Sequence, residues 1–160
     1  MLRIVKHQAE DIHGDWDIVH RLLDNFDDDI NVVDKNGSSI IGYASMREEW
    51  GIVDRILEYF HVNVDGRDKE GNTVFMNAVK SCDVSVVREI LEKNPNINAV
   101  NKVGCTALHL AAWNGNFEIL NILVSQSDIN RNILNKNGDT ALDVATTFGM
   151  KSVIDFLTVE

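Results

Sequence analysis

Short apolar segments alternate with polar turns along the chain, and the apolar residues recur at helical spacing. Between Gly104 and Leu120, the residues Leu108, Ala111 and Ala112 stand at i, i+3 and i+4, which is the period of one helix face. An Asn-Gly pair then interrupts the pattern, because glycine accepts the left-handed conformation that ends many helices. A second periodic segment follows, with an apolar face expected to comprise Phe117, Ile119, Leu120 and Leu123. The pattern predicts two short helices joined by a tight turn.

A polar phrase of the form Asp/Asn-Lys-X-Gly precedes each such pair of segments and recurs every 33 or 34 residues, with its glycines at Gly37, Gly71, Gly104 and Gly138. An Asx residue followed by glycine suits a tight turn, because the Asx side chain bonds to nearby backbone and glycine accepts positive φ. We call each phrase a finger. The hydroxyl residue after each finger stands where a helix N-cap is needed, at Ser39, Thr73, Thr106 and Thr140.

Two helices this short cannot bury their apolar faces alone, so neighbouring units are predicted to stack and share one core. The chain then forms a single domain over residues 1–160, with units at 34–67, 68–100 and 101–134 and a C-terminal capping unit at 135–160. Residues 1–33 are predicted to be a degenerate N-terminal capping unit, in which Trp16 corresponds to Trp50. Both tryptophans begin a second helix, so we expect both in the core.

The stretch from Gly104 to Leu120 resembles the ankyrin repeat, whose signature is a turn, a T-P-L-H-x-A-A helix, a glycine break and a second helix. The resemblance covers Asp34 to Glu160 as four units and implies an all-α ankyrin-repeat solenoid with projecting fingers. No unit keeps the family's proline, and only His109 keeps its histidine. The resemblance further implies that His109 is structural and that loop asparagines bond to backbone, here at Asn31, Asn98 and Asn130.

No catalytic or metal-binding pattern stands out. His109 has no second ligand at metal spacing on its helix, and the acidic runs 27–29 and 48–49 lack the alternating ligands of a calcium loop. The sequence contains no GxxxxGK, GxSxG or HExxH. Cys105, in a finger predicted to be exposed, is expected to be an ordinary free thiol. The sequence therefore predicts a non-enzymatic protein with no cofactor, no metal site and no small-molecule substrate.

The net charge and the cysteine content restrict the cellular compartment and the class of binding partner. The formal net charge is −10, which disfavours nucleic-acid binding unless positive groups are gathered on one face. Two cysteines without CxxC spacing fit a reducing compartment, and no run of eighteen apolar residues predicts a membrane span. We expect a cytoplasmic or nuclear monomer whose partner is another protein.

The resemblance implies that the fingers and the first helix of each unit line a concave binding face. Trp113 follows the alanine pair of its helix, and it is expected either to anchor a partner or to pack against the adjacent unit. Phe148 and Met46 hold similar places in other units. The ends of the first helices supply six predicted binding residues, namely Met46, Arg47, Lys80, Trp113, Asn114 and Phe148.

A second group of predicted binding residues lies in the fingers, at Lys35, Lys69, Glu70, Lys102, Val103 and Lys136. Stacking would align the four lysines in a ridge, which is either a positive binding edge or simply a set of exposed turn residues. The predicted function is protein–protein interaction in an adaptor, inhibitor or effector role. The alternatives are a nucleic-acid or anionic-surface binder that uses the lysine ridge, and a regulatory subunit of a larger enzyme.

Overall fold

The computed structural model describes residues 30–59 and 61–158. Almost all of the predicted N-terminal capping unit, including Trp16, lies outside these residues. The described residues form eight helices in four pairs: α1 Ile40–Met46, α2 Trp50–Tyr59, α3 Val74–Ser81, α4 Val84–Glu92, α5 Ala107–Asn114, α6 Phe117–Val124, α7 Ala141–Thr147 and α8 Lys151–Thr158. We number the four pairs, each with its preceding finger, units 1 to 4. The all-α solenoid predicted from the sequence is confirmed.

Each finger is closed by its first residue. In unit 1, Oδ1 of Asp34 accepts hydrogen bonds from the backbone N–H groups of Asn36 and Ser38, at 2.7 and 2.9 Å. The same two bonds recur at the corresponding positions, Asp68, Asn101 and Asn135. The finger glycines take φ values of 79 to 86°, in the region that glycine occupies without strain. The turn chemistry predicted from the repeated phrase is therefore confirmed.

The residues after the fingers cap the first helices as predicted. The side-chain oxygens of Ser39, Thr73, Thr106 and Thr140 each accept a hydrogen bond from the backbone three residues on, which satisfies one N–H group that the helix leaves unpaired. Gly115, with φ of 69°, ends α5 in the left-handed conformation. The tight break between α5 and α6 thus follows from the Asn-Gly pair.

The units stack through their first helices, because α1 contacts α3, α3 contacts α5 and α5 contacts α7, while α4 contacts α6. Leu108, Ala111 and Ala112 are fully buried in the shared core, as their spacing predicts. Trp50 is half-buried and packs against that core. Phe117 differs from the prediction: it is 47% exposed, because it stands at the very start of α6. Its ring meets the Phe156 ring of α8, at 4.7 Å between centroids.

Asparagines join the loops between units. The Asn98 amide donates to the Asp128 carbonyl and its oxygen accepts from the Asn130 N–H group, both at 2.8 Å. Asn31 makes the same two bonds to the next loop. Asn130 instead accepts from Asn132 within its own loop. All three asparagines thus bond to backbone, as the resemblance implies, but Asn130 does so within its own loop, as Asn96 does by accepting from the Asn98 N–H group.

His109 is structural, as the resemblance implies. Its ring is 2% exposed, and Nε2 lies 3.0 Å from the Asp139 carbonyl of the next unit. A carbonyl only accepts hydrogen bonds, so Nε2 carries the proton and Nδ1 accepts from Thr106. Nδ1 thus bonds to the N-cap residue of α5, and Nε2 joins unit 3 to unit 4.

Candidate binding face

Trp113 and Phe148 form the most exposed aromatic contact on the described surface of the first helices. Trp113 ends α5 in unit 3, Phe148 caps α7 in unit 4, and their rings meet edge to face with centroids 6.4 Å apart. The residues remain 51% and 56% exposed. Trp113 therefore packs against the adjacent unit and also leaves about half of its surface open to solvent. Its role as a partner anchor stays a prediction.

Further apolar residues lie in the fingers of the same two units. Val103 is at the tip of the unit 3 finger, while Val100 and Leu134 directly precede the fingers of units 3 and 4, and all three are exposed. We call these three residues together with Trp113 and Phe148 the apolar cluster. Sequence reasoning missed Val100 and Leu134. Their signal is positional, because both hold the place before a finger that Arg67 holds in unit 2.

Units 1 and 2 lack aromatic side chains at the corresponding helix ends, while Val33, 59% exposed, precedes the unit 1 finger as Val100 and Leu134 precede theirs. Met46 is half-buried and Arg47 is exposed at the end of α1. In unit 2, the Lys80 ammonium lies 3.7 Å from the Glu70 carboxylate, so the structure brings together two predicted binding residues from the helix end and the finger. On the face lined by fingers and first helices, here called the finger face, exposed aromatic side chains therefore stand at the first-helix ends of units 3 and 4, whereas exposed aliphatic side chains precede the fingers of units 1, 3 and 4.

The four finger lysines, Lys35, Lys69, Lys102 and Lys136, are all exposed. Direct backbone bonds align the last three fingers, since Lys102 N–H donates to the Glu70 carbonyl and Lys136 N–H to the Val103 carbonyl, each at 3.0 Å. The Lys102 ammonium also donates to the Lys69 carbonyl. Within residues 30–59 and 61–158, no ion pair joins any of these lysines to a carboxylate. We call this row the lysine ridge.

Asn114 differs from the other predicted binding residues because its amide is used between units. Its Nδ2 group donates to the Val79 carbonyl at 3.4 Å and to the Cys82 sulfur at 3.5 Å. Asn114 therefore holds α5 against unit 2. A contribution of this residue to partner binding stays a prediction.

The titratable groups of the described residues can be compared with the arrangement that a metal site needs. No group of three or more His, Cys, Asp or Glu residues within the described part of the chain is placed to hold a metal ion. Cys105 is half-buried, and its burial raises the pKa of the thiol, which lowers the fraction of reactive thiolate. No helix among these residues is long and apolar enough to cross a membrane.

Two carboxyl groups meet on the second helices, away from the finger face. Asp54 of α2 and Glu89 of α4 share a side-chain hydrogen bond. Partial burial is the main cause that raises the pKa of each group, and the facing Asp54 charge further raises the pKa of Glu89. This contact belongs to the packing of unit 1 on unit 2.

Comparison with known proteins agrees with this architecture. The family model for ankyrin repeats (3 copies) matches residues 7–101 and 75–160. Relatives include mouse ankyrin repeat domain-containing protein 37, 38% identical over 43% of this chain and 43% of that protein. Human NAD-capped RNA hydrolase NUDT12 is 37% identical over 47% of this chain and 16% of that protein. The chain thus spans less than half the length of these relatives. Because the family model matches nearly the whole of this chain, the chain belongs to the ankyrin-repeat family.

Proposed function

We propose that this chain binds another protein through its finger face and carries out no catalysis itself. Ankyrin repeats are generally protein–protein interaction modules, and the family is generally non-enzymatic. An adaptor, an inhibitor or an effector would each act by such binding. The similarity to the NAD-capped RNA hydrolase is confined to 16% of that protein and supports no catalytic role here.

The observation that carries the proposal is the exposed contact between Trp113 and Phe148 within the apolar cluster. Large exposed apolar side chains that touch one another commonly mark interaction sites, whereas single scattered ones need no explanation. Trp and other large side chains contribute disproportionately to binding, because they bury a large area with few rotatable bonds to fix. Trp113 and Phe148 provide two such side chains in contact with each other.

The lysine ridge supports a second candidate, the binding of nucleic acid or another polyanion, because its ammonium groups lack ion pairs among the described residues. The net charge of −10 opposes this candidate. Salt titration separates the two. Binding to a phosphate backbone weakens steeply as salt rises, whereas binding through an aromatic anchor does not.

The test compares capture of proteins from a native lysate by the wild-type chain and by the double variant Trp113→Ala, Phe148→Ala. Loss of the two interface aromatic side chains should weaken binding of the specific partner by about 2 kcal/mol or more, which is roughly 30-fold in Kd. Stability should fall far less than for a core aromatic, because both residues are about half exposed.

The matched control is Phe117→Ala, which removes a similarly exposed aromatic side chain from a second helix. Circular dichroism of each variant establishes that it remains folded. The proposal predicts partners that are retained by Phe117→Ala and lost by the double variant. If the same partners bind all three proteins equally, the finger face is not the binding site.

A further inference from the structure

We infer that the partner contacts the finger face with a segment that combines acidic side chains and a large apolar side chain. This inference rests on the proposed function and specifies the chemistry of the partner. It follows from two groups of residues on the finger face, the lysine ridge and the apolar cluster. Each surface has a different complement, and unit 3 contains parts of both.

The lysine ridge favours carboxylates. Its ammonium groups are exposed and have no carboxylate partner in the described part of the chain, although acidic residues outnumber basic ones by twenty-five to fifteen. Lysine is a compact point charge, whereas arginine has the planar fork that suits bidentate contact with phosphate. Complementary charges of this kind speed association and exclude partners of like charge.

The apolar cluster requires a different complement. Trp113, Val103 and Phe148 leave about half or more of their surfaces in water, and only an apolar side chain recovers the free energy of removing that surface from water. A long uniform polyanion would place phosphates against these residues and leave them without a match. A protein segment with mixed side chains satisfies both surfaces.

Distances within unit 3 set the layout of this segment. The finger carries Lys102 and Val103, and α5 then runs over eight residues to Asn114, a length of about 12 Å at 1.5 Å per residue. Trp113 therefore lies at the opposite end of the helix from the lysine ridge. A segment that lies across the first helices meets lysines on one side and the aromatic pair on the other.

The experiment selects binders from a random 12-residue peptide display library on the folded wild-type chain. Enriched peptides should carry net negative charge and at least one large apolar residue. The variant Lys69→Glu, Lys102→Glu, Lys136→Glu should bind these peptides at least about tenfold more weakly, equivalent to about 1.4 kcal/mol, because exposed ion pairs are replaced by repulsion.

The matched control reverses three charges on or beside the second helices, at Arg88, Lys93 and Lys151. It changes the net charge equally and should bind the same peptides almost as well as the wild-type chain. In a parallel selection, Trp113→Ala with Phe148→Ala should lose the enrichment of large apolar residues. Melting curves verify that every variant is folded.

The outcomes distinguish failure of this inference from failure of the proposed function. Selected peptides that depend on Trp113 but show no acidic enrichment would overturn this inference and leave the proposed function standing. Peptides that respond to neither set of variants would overturn both. Tight binding of a 20-nucleotide single-stranded DNA that is abolished by the lysine reversals would also overturn the inference, because the ridge would then serve phosphate.

Discussion

Gly42 in α1 offers a sharp test of how closely unit 1 is stacked on unit 2. A Cβ atom built at Gly42 lies 2.1 Å from the Arg67 carbonyl oxygen and 2.7 Å from the Asp68 nitrogen. These atoms belong to backbone and have no side-chain freedom with which to move away. The substitution Gly42→Ala must therefore push the two segments apart.

The expected cost follows from that displacement. Real Cβ atoms essentially never approach other heavy atoms within 3.0 Å, so the segments must separate by roughly 1 Å, and overpacking of this kind typically costs about 1–3 kcal/mol. The Ser39 N–H to Arg67 carbonyl bond, 2.8 Å long, would be lost as well, at about 1 kcal/mol. We expect Gly42→Ala to destabilise the protein by about 2–4 kcal/mol in total.

Another glycine of the same unit provides the control. A Cβ atom at Gly51, near the start of α2, meets nothing within 4 Å. Gly51→Ala should therefore stabilise the chain by about 0.5–1 kcal/mol, because alanine loses less conformational entropy in a helix. Urea titration followed by far-ultraviolet circular dichroism measures both changes. A Gly42→Ala chain as stable as the wild type would refute the close packing on which this estimate depends.

Two further changes test the polar contacts between units. Asp65 holds the place of Asn31 and Asn98 and accepts from the Asn96 N–H group, but a carboxylate has no donor. Asp65→Asn should therefore add a donor to the next loop and raise Tm by about 2–4 °C, for one hydrogen bond near 1 kcal/mol. An unchanged Tm would contradict this equivalence. The pKa values of Asp54 and Glu89 are raised in the folded state, so their protonated forms favour folding at acidic pH. This stabilisation is lost as the pH rises through the pKa values of the folded state. Glu89→Gln should therefore raise Tm at about pH 7 and have little effect near pH 4, and an equal effect at both would exclude the carboxyl contact as the cause.

The local chemistry of the repeat was predictable because it depends on neighbouring residues. The Asx oxygen at Asn101, the cap at Thr106 and the break at Gly115 each act within a few residues of their own position. A repeated phrase in the sequence therefore specifies a repeated turn and helix start. The angular position of Trp113 on α5, turned away from Leu108, was also accessible, but it left open whether this side chain packs against unit 4 or faces solvent.

Contacts between units were harder to predict because they depend on what the adjacent unit supplies. Helical periodicity placed Phe117 on an apolar face, but only the structure shows that Phe156 leaves half of it uncovered. No local pattern marks Gly42 as the point where the Arg67 backbone approaches, or pairs Asp54 with Glu89. These features follow from the stacking distance rather than from any one segment.

The edge-to-face contact of Trp113 and Phe148 joins side chains from two different units. Neither unit holds this surface alone, so local separation of unit 4 from unit 3 would dismantle it while the remaining units stay folded. A ligand that needs both rings would bind only the docked state and would, by linkage, suppress that separation by RT ln(1 + [L]/Kd). Partner binding and the docking of unit 4 on unit 3 are then coupled equilibria. A bound partner would therefore protect the amides of α7 from hydrogen exchange.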